Sequence, residues 1–324
     1  MKALLYTGLG LVFAALSTLA AGADPSWPNR PIRIMVPFAP GGGGDGVARV
    51  VAEPLARTLK QPVMVESRPG AGTTLAASAV VAAPPDGYTL LMHEENVFGA
   101  HKVFYDHVKY DETSFTPISS LASTFFVMAV NKDLGIKRVS ELIAKARQSA
   151  AAPMFVGLTD SSLAQIIVTS FNKLGGTNLV IAPYKGGALA VMAAVSGEVP
   201  ITFSVPTSVM PLAKSGKLTA LAITASKRSP LAPGVPTLAE EGLEGYKVSY
   251  WFGLLGPARM QEDVVQKLFD ATSKALAEPA VQAKLASLGY ETTPSKSVAE
   301  FRAVALRDGA AMAKLVRSLR LKGN

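Results

Sequence analysis

Apolar and polar positions along this chain follow two rhythms in turn. Ile32–Val36 is a short β-rich run, and apolar side chains at 47, 50, 51, 55 and 59 recur at helical spacing. Val63–Val65 reads as a strand and Thr73–Ala82 as an Ala-rich helix. Pro84-Pro85-Asp86-Gly87 is a turn before the strand Tyr88–Met92. A βαβαβ succession of this kind predicts a largely parallel sheet covered by helices. The rhythm restarts after Phe126–Asn131. It predicts helices over Ser140–Arg147, Ser162–Leu174, Ala188–Val195 and Val209–Lys214, interleaved with strands at Met154–Val156, Leu179–Ile181, Ile201–Ser204 and Leu218–Thr224. Thr237-Leu238-Ala239-Glu240 has the form of a capping box opening a short helix, and Val248–Leu255 is a long apolar strand. The remainder reads as helical, with Pro279 at a first helical position and Ser297-Val298-Ala299-Glu300 as a second capping box.

The pattern predicts an α/β protein of two units with a helical tail. The runs Phe125–Asn131 and Ser249–Gly256 bracket the second unit. If both cross between the units, residues 27–125 plus 253–324 form one lobe and 126–252 the other. A cleft then lies between them at a two-strand hinge. The N-terminus reads differently. Lys2, the apolar run Ala3–Leu16 and the small residues Ala21 and Ala23 have the layout of a secretory signal peptide over residues 1–23, cleaved after Ala23. The run is short for a membrane span, which needs about 20 residues.

Composition narrows the function. The 324 residues are 49% hydrophobic and 17% charged, which suits a globular exported protein with room for two cores. Cys is absent, so disulfides, Cys-ligated metals and a Cys nucleophile are excluded. The net charge of +8 comes from scattered residues without a basic stripe, so no nucleic-acid partner is expected. The spacing of His93, His101 and His107 matches no zinc pattern, and no G-x-S-x-G elbow occurs. Neither a metal site nor a catalytic residue is expected.

The chemistry concentrates in Gly41-Gly42-Gly43-Gly44-Asp45-Gly46, between a predicted strand and a predicted helix. The loop satisfies G-x-G-x-x-G at 41, 43 and 46. However, Pro37-Phe38-Ala39-Pro40 intervenes where a dinucleotide fingerprint needs a tight turn, and no cofactor is expected. Small residues at a helix N-terminus leave backbone N–H groups uncovered at the positive end of the dipole, which attracts an anion. Asp45 is the expected N-cap. Gly157-Leu158-Thr159-Asp160-Ser161-Ser162 lies at the matching place in the second unit. Two such loops across a cleft could clamp an anionic ligand; the plainer reading is a packing turn and ordinary capping. His93 and Glu94 follow the third strand of the first unit. Ligands of doubly wound sheets sit beyond the C-terminal ends of strands, so these residues, with Glu95, are expected to border the cleft. A carboxylate there would repel a second anionic group and accept from a donor.

Several strings together resemble one family. They include Trp27-Pro28-Asn29-Arg30-Pro31-Ile32, Val36-Pro37-Phe38-Ala39-Pro40-Gly41-Gly42-Gly43, Glu66-Ser67-Arg68-Pro69-Gly70-Ala71-Gly72 and Pro85-Asp86-Gly87-Tyr88-Thr89-Leu90. Pro183-Tyr184-Lys185-Gly186-Gly187, Ser215-Gly216-Lys217-Leu218 and Val235-Pro236-Thr237 add to them. The chain resembles the Bug family, the extracytoplasmic solute receptors of tripartite tricarboxylate transporters, from Trp27 nearly to the C-terminus. The resemblance implies a two-lobed periplasmic binding protein of the type II class, a monomer without catalysis or cofactor. It implies a small organic carboxylate ligand and the membrane subunits of a transporter as partners. The family's first loop maps onto Phe38, Ala39, Gly42, Gly43, Gly44 and Asp45, with the glycines as backbone donors and Phe38 against the ligand's apolar part. Its second loop maps onto Thr159, Asp160, Ser161 and Ser162. Departures stand at Gly44, where the family has Thr or Ser, at Ser162 in place of His, and at Ser204 in place of Asp or Asn. His93-Glu94-Glu95-Asn96 replaces small neutral residues. An exported α/β enzyme acting on a small anionic substrate is the alternative.

Overall fold

The computed structural model describes residues 27–148, 152–159, 162–246 and 248–321. The proposed signal peptide over 1–23 lies outside them. The first unit runs β1 (Ile32–Val36), α1 (Gly43–Leu59), β2 (Val63–Ser67), α2 (Thr74–Val81), β3 (Thr89–Glu94), α3 (Ala100–Phe104) and β4 (Phe115–Phe125). The second runs β5 (Val127–Asn131), α4 (Val139–Gln148), β6 (Phe155–Thr159), α5 (Ser162–Gly175), β7 (Val180–Tyr184), α6 (Gly187–Ser196), β8 (Ile201–Ser204), α7 (Pro206–Lys214) and β9 (Leu218–Ile223). The chain then returns through β10 (Ser249–Pro257), α8 (Glu262–Ala277), α9 (Pro279–Ser287), β11 (Glu291–Thr292) and α10 (Val298–Ser318).

These strands make two sheets. The six-stranded sheet has the order β11-β4-β10-β3-β1-β2, and the five-stranded sheet β7-β6-β8-β5-β9. β2, β1 and β3 are parallel, as the βαβ rhythm requires, while β10 runs antiparallel to both β3 and β4. In the second sheet β6 is parallel to β7 and β8, and β5 is antiparallel to β8 and β9. Strands covered on both faces read as continuous apolar runs: Ile34, Val36, Leu90 and Leu91 are essentially inaccessible to water.

The chain passes from one sheet to the other at Phe125–Phe126 and comes back before Ser249. Ser249 already pairs with Phe125, so residues 249–252 stand with the six-stranded sheet, not with the second unit where the sequence reading put them. Thr224 ties both crossings: its hydroxyl accepts from Phe126 N–H at 2.9 Å, and its carbonyl accepts from Val248 N–H at 3.0 Å. α8 and α9 pack on α1. α10 starts in the first unit, with Phe301 and Ala305 buried beside Leu91 and Leu255. Its Val316 is buried in the core of the second unit, beside Met128 and Leu142.

Three local expectations change. β4 carries Thr116, Pro117, Ser119 and Ser120, which break the apolar pattern, yet it is an eleven-residue strand. The capping box at Thr237 forms, with Glu240 N–H on the Thr237 hydroxyl at 3.0 Å and Thr237 N–H on the Glu240 carboxylate at 2.8 Å. No helix follows it, because the chain turns at Gly242, whose φ of +97° lies outside helical space. β3 runs on through His93 and Glu94, which were expected in a loop.

Candidate functional site

A cleft of about 530 Å³ lies between the two sheets. The first unit contributes Phe38, Gly41, Gly43, Gly44 and Glu94, and the second contributes Thr159, Gly186, Gly187, Ala188, Ser204 and Ser208.

The glycine loop works as a turn and as a helix start. Gly42 N–H is committed to the Ala39 carbonyl at 3.0 Å, so Gly42 is not the free donor expected, and exposed Ala39 serves the turn instead of the cleft. The first bond of α1 runs from Gly46 N–H to the Gly42 carbonyl at 2.9 Å. The N–H groups of Gly43, Gly44 and Asp45 therefore precede the helical ladder. A Cβ on Gly43 would collide with the Tyr290 hydroxyl, and one on Gly44 with the edge of the Phe38 ring. Close approach, not positive φ, requires glycine at these two positions.

Asp45 is not the N-cap. Gly42 holds that position, and Asp45 lies inside the first turn with its side chain 2% exposed. Its carboxylate accepts from Gly41 N–H at 3.0 Å, from the Ser67 hydroxyl at 2.9 Å and from the Arg49 guanidinium at 2.8 and 3.0 Å. Burial alone would raise the carboxyl, but these donors outweigh it and hold Asp45 below its ordinary value. Asp45 thus fastens the loop to α1 and β2.

The second unit presents two more helix starts. The first bond of α6 is Ala190 N–H to the Gly186 carbonyl, so the N–H groups of Gly187, Ala188 and Leu189 precede its ladder. Gly187 packs beside the Ser204 hydroxyl, from which a Cβ would stand 3.2 Å. α7 begins with Pro206, whose missing N–H costs nothing there, and the Thr207 N–H precedes its ladder. Of the expected second loop, Thr159 lines the cleft, while Gly157 is inside β6, packed under α6. Asp160 and Ser161 lie outside the described residues, and Ser162 opens α5.

One wall is aromatic. Phe252 contacts Phe38 at 5.4 Å between ring centroids, Tyr250 at 5.5 Å and Tyr290 at 5.6 Å, and Phe126 stands 5.8 Å from Tyr250. The Tyr250 and Tyr290 hydroxyls are hydrogen-bonded to each other, and burial raises both phenols above their usual range. They stay neutral donors.

The residues after β3 divide. His93 does not reach the cleft. It is wholly buried, with Nδ1 on the Glu94 backbone and Nε2 3.2 Å from the Thr73 carbonyl. Its ring packs edge-on against His101, which lies 2.6 Å from the Tyr110 hydroxyl. Burial lowers His93 to about 4, so it is neutral. Glu95 turns away and accepts from Trp251 N–H at 3.2 Å. Burial, with the neighbouring Glu94 charge, pushes Glu95 up to about 8. Glu94 faces the cleft; Asn96 donates to its Oε2 at 3.1 Å, and burial pushes it up to about 7. Among the described residues lining the cleft, Glu94 carries the only carboxyl group, and none is Lys, Arg or His. Nor does any group of three or more described His, Asp or Glu residues converge as metal ligands.

Sequence reasoning passed over Gly186-Gly187 as a plain turn and passed over Tyr250 and Tyr290. The first carries the same strand–Gly–helix signal as Gly41–Gly46. The tyrosines have no local signal, because the sheet brings β10 and the segment before β11 together from distant sequence.

Residues 47–312 match the family described as tripartite tricarboxylate transporter family receptor. Protein BugT of Bordetella pertussis is 31% identical over 291 residues, covering 87% of each chain. MatC from Rhodopseudomonas palustris, solved with bound malate, is 30% identical with a TM-score of 0.76, covering 90% of this chain and all of its own. Rpa4515 of R. palustris, solved with adipate, is 28% identical with a TM-score of 0.79, covering 91% of this chain and 99% of its own. The fold is that of the two-lobed periplasmic binding proteins, and this chain belongs to the tripartite tricarboxylate transporter receptor family.

Proposed function

We propose that the protein is a periplasmic receptor that closes on a small organic carboxylate between its lobes. It then presents the closed complex to the membrane subunits of a transporter or to a sensor. The observation that carries this reading is the convergence of helix starts from both units on one cleft. Gly43 and Gly44 from one unit and Gly187 and Ala188 from the other, all ahead of their helical ladders, line one cleft of about 530 Å³ without any cationic side chain among the described lining residues. Such donors bind an anion through hydrogen bonds and the dipole ends, without the desolvation cost of burying a lysine. Because the donors come from both lobes, binding favours closure.

The malate and adipate carried by two relatives support a carboxylate as the ligand class. Residues 1–23 fit an export signal, and among the described residues no helix is long and apolar enough to cross a membrane. In this reading the protein acts as a monomer and returns its ligand unchanged, in keeping with the receptor family it belongs to. Titration calorimetry of the exported chain against a panel of mono- and dicarboxylates tests the reading. Binding of at least one member at micromolar Kd or better, about −8 kcal/mol, with the ligand recovered unchanged, is expected. Absence of binding across the panel, or consumption of a bound acid, overturns it.

A further inference from the structure

We propose that Glu94 selects ligands carrying a single carboxylate and, apart from it, an ammonium or amide N–H. This rests on the carboxylate-receptor reading above and names the substrate class within it. The lining of the cleft offers two kinds of chemistry. The helix starts at Gly43 and Gly187 offer N–H groups to an anion. Glu94 ends β3 among the lining residues, paired with Phe252 and near the Tyr250 and Tyr290 hydroxyls. Asn96 occupies Oε2, and no described residue donates to Oε1. A ligand N–H is the group that completes this carboxylate.

The surroundings point the same way. No Lys, Arg or His lines the cleft among the described residues, so nothing there neutralises Glu94. A ligand with two carboxylates would bring its second charge against it without a bridging cation, and like charges in contact cost several-fold to many-fold in affinity. The aromatic wall of Tyr250, Phe252 and Tyr290 stands beside Glu94 and presents ring faces and edges that suit an ammonium or a planar amide. Other ionisable groups near Glu94 do not replace it. His93 is bonded to the backbone behind the strand, Glu95 is turned to Trp251, and the two phenols are bonded to each other.

The experiment uses the exported full chain and three ligand sets matched in length: succinate, succinamate and β-alanine; glutarate, glutaramate and 4-aminobutanoate; adipate, adipamate and 6-aminohexanoate. Each is titrated by calorimetry at pH 8.5 into wild type, Glu94→Gln and Glu94→Ser. Gln can still accept from Asn96, and the melting temperature of each variant checks folding. We expect wild type to bind the amino or amido acid of the best-fitting length at least tenfold tighter than its dicarboxylate. We expect Glu94→Gln to narrow or reverse that ratio, and Glu94→Ser to do the same. A wild type that prefers the dicarboxylate, with the ratio unaltered in both variants, overturns the role of Glu94 alone. A wild type that binds none of the nine probes, nor any other carboxylate, overturns the receptor reading and this assignment together.

Discussion

His93, Glu94 and Glu95 stand side by side at the end of β3, where burial favours the uncharged form of each. The consequence for stability can be worked out by sign. The Glu95 carboxyl rises from an ordinary 4.5 to about 8, so the folded state prefers it protonated. That contribution is complete below 4.5 and is lost as pH rises through about 8. Glu94 acts in the same direction, with its loss centred near 7. His93 falls from 6.5 to about 4, so its neutral form belongs to the fold. That contribution is complete above 6.5 and is lost as pH drops through about 4. The ligand-free protein should therefore melt highest in mildly acidic solution and lose stability toward pH 8.5, by several kcal/mol, on the order of 5, from the two carboxyls. Glu95→Gln should flatten much of the alkaline decline, since its amide oxygen can still accept from Trp251 N–H. Melting curves from pH 5 to 8.5 check this, and superimposable profiles for wild type and variant would remove Glu95 as the cause.

At the scale of elements, the β1–α1 connection does most to shape the cleft. Asp45 reaches from the first turn of α1 back to Gly41 and across to Ser67, so a single carboxylate fixes the glycine loop that lines the cleft. Arg49 is half exposed and water screens its share, so the buried Gly41 and Ser67 bonds carry most of the effect. Asp45→Ala should cost about 2 kcal/mol in unfolding free energy. It should also weaken ligand binding beyond that of a destabilising change elsewhere, with chemical denaturation and calorimetry read together. Unchanged affinity would mean that the loop holds its shape without Asp45. The loop was legible in the sequence because a glycine run between a strand and a helix is a local pattern. The function of Asp45 was not: capping and loop-tethering aspartates look alike until the position of Ser67 in the neighbouring strand is known. β4 was hidden because Pro117 and its serines sit in a strand whose pairing with β10 comes from far along the chain. His93 was placed in the cleft by the rule that ligands lie beyond strand ends. It fell short because β3 continues one residue further and hands the cleft to Glu94.

On the receptor reading the whole molecule opens for a ligand to enter and closes to hold it, and two contacts away from the crossings at Phe126 and Val248 join the lobes. The Ser229 hydroxyl donates to the Glu291 carboxylate, joining the segment after β9 to β11 at the edge of the other sheet. Nearby, the backbone at Gly289 approaches Thr207 at the start of α7 so closely that a Cβ would stand 3.1 Å from its hydroxyl. Both contacts unite the lobes beside Tyr290, which lines the cleft. Both join residues of different lobes, so on the receptor reading they are expected to favour the closed state over an open one. A hydroxyl–carboxylate bond of this kind is worth roughly 1.5–3 kcal/mol when shielded, and less where water reaches it. Removing it should shift the ligand-free population toward the open form and lower apparent affinity by the same factor, because binding must then supply the closure. Glu291→Ala is therefore expected to weaken binding by about five- to tenfold, mainly through faster release. Its melting temperature should stay near that of wild type, since a single change at a lobe edge removes no core contact. Small-angle scattering should give a larger radius of gyration for the ligand-free variant than for ligand-free wild type, with the two converging at saturating ligand. If the variant releases ligand at the wild-type rate and scatters identically without it, the Ser229–Glu291 contact does not govern closure, and the Gly289–Thr207 approach is the next contact to alter.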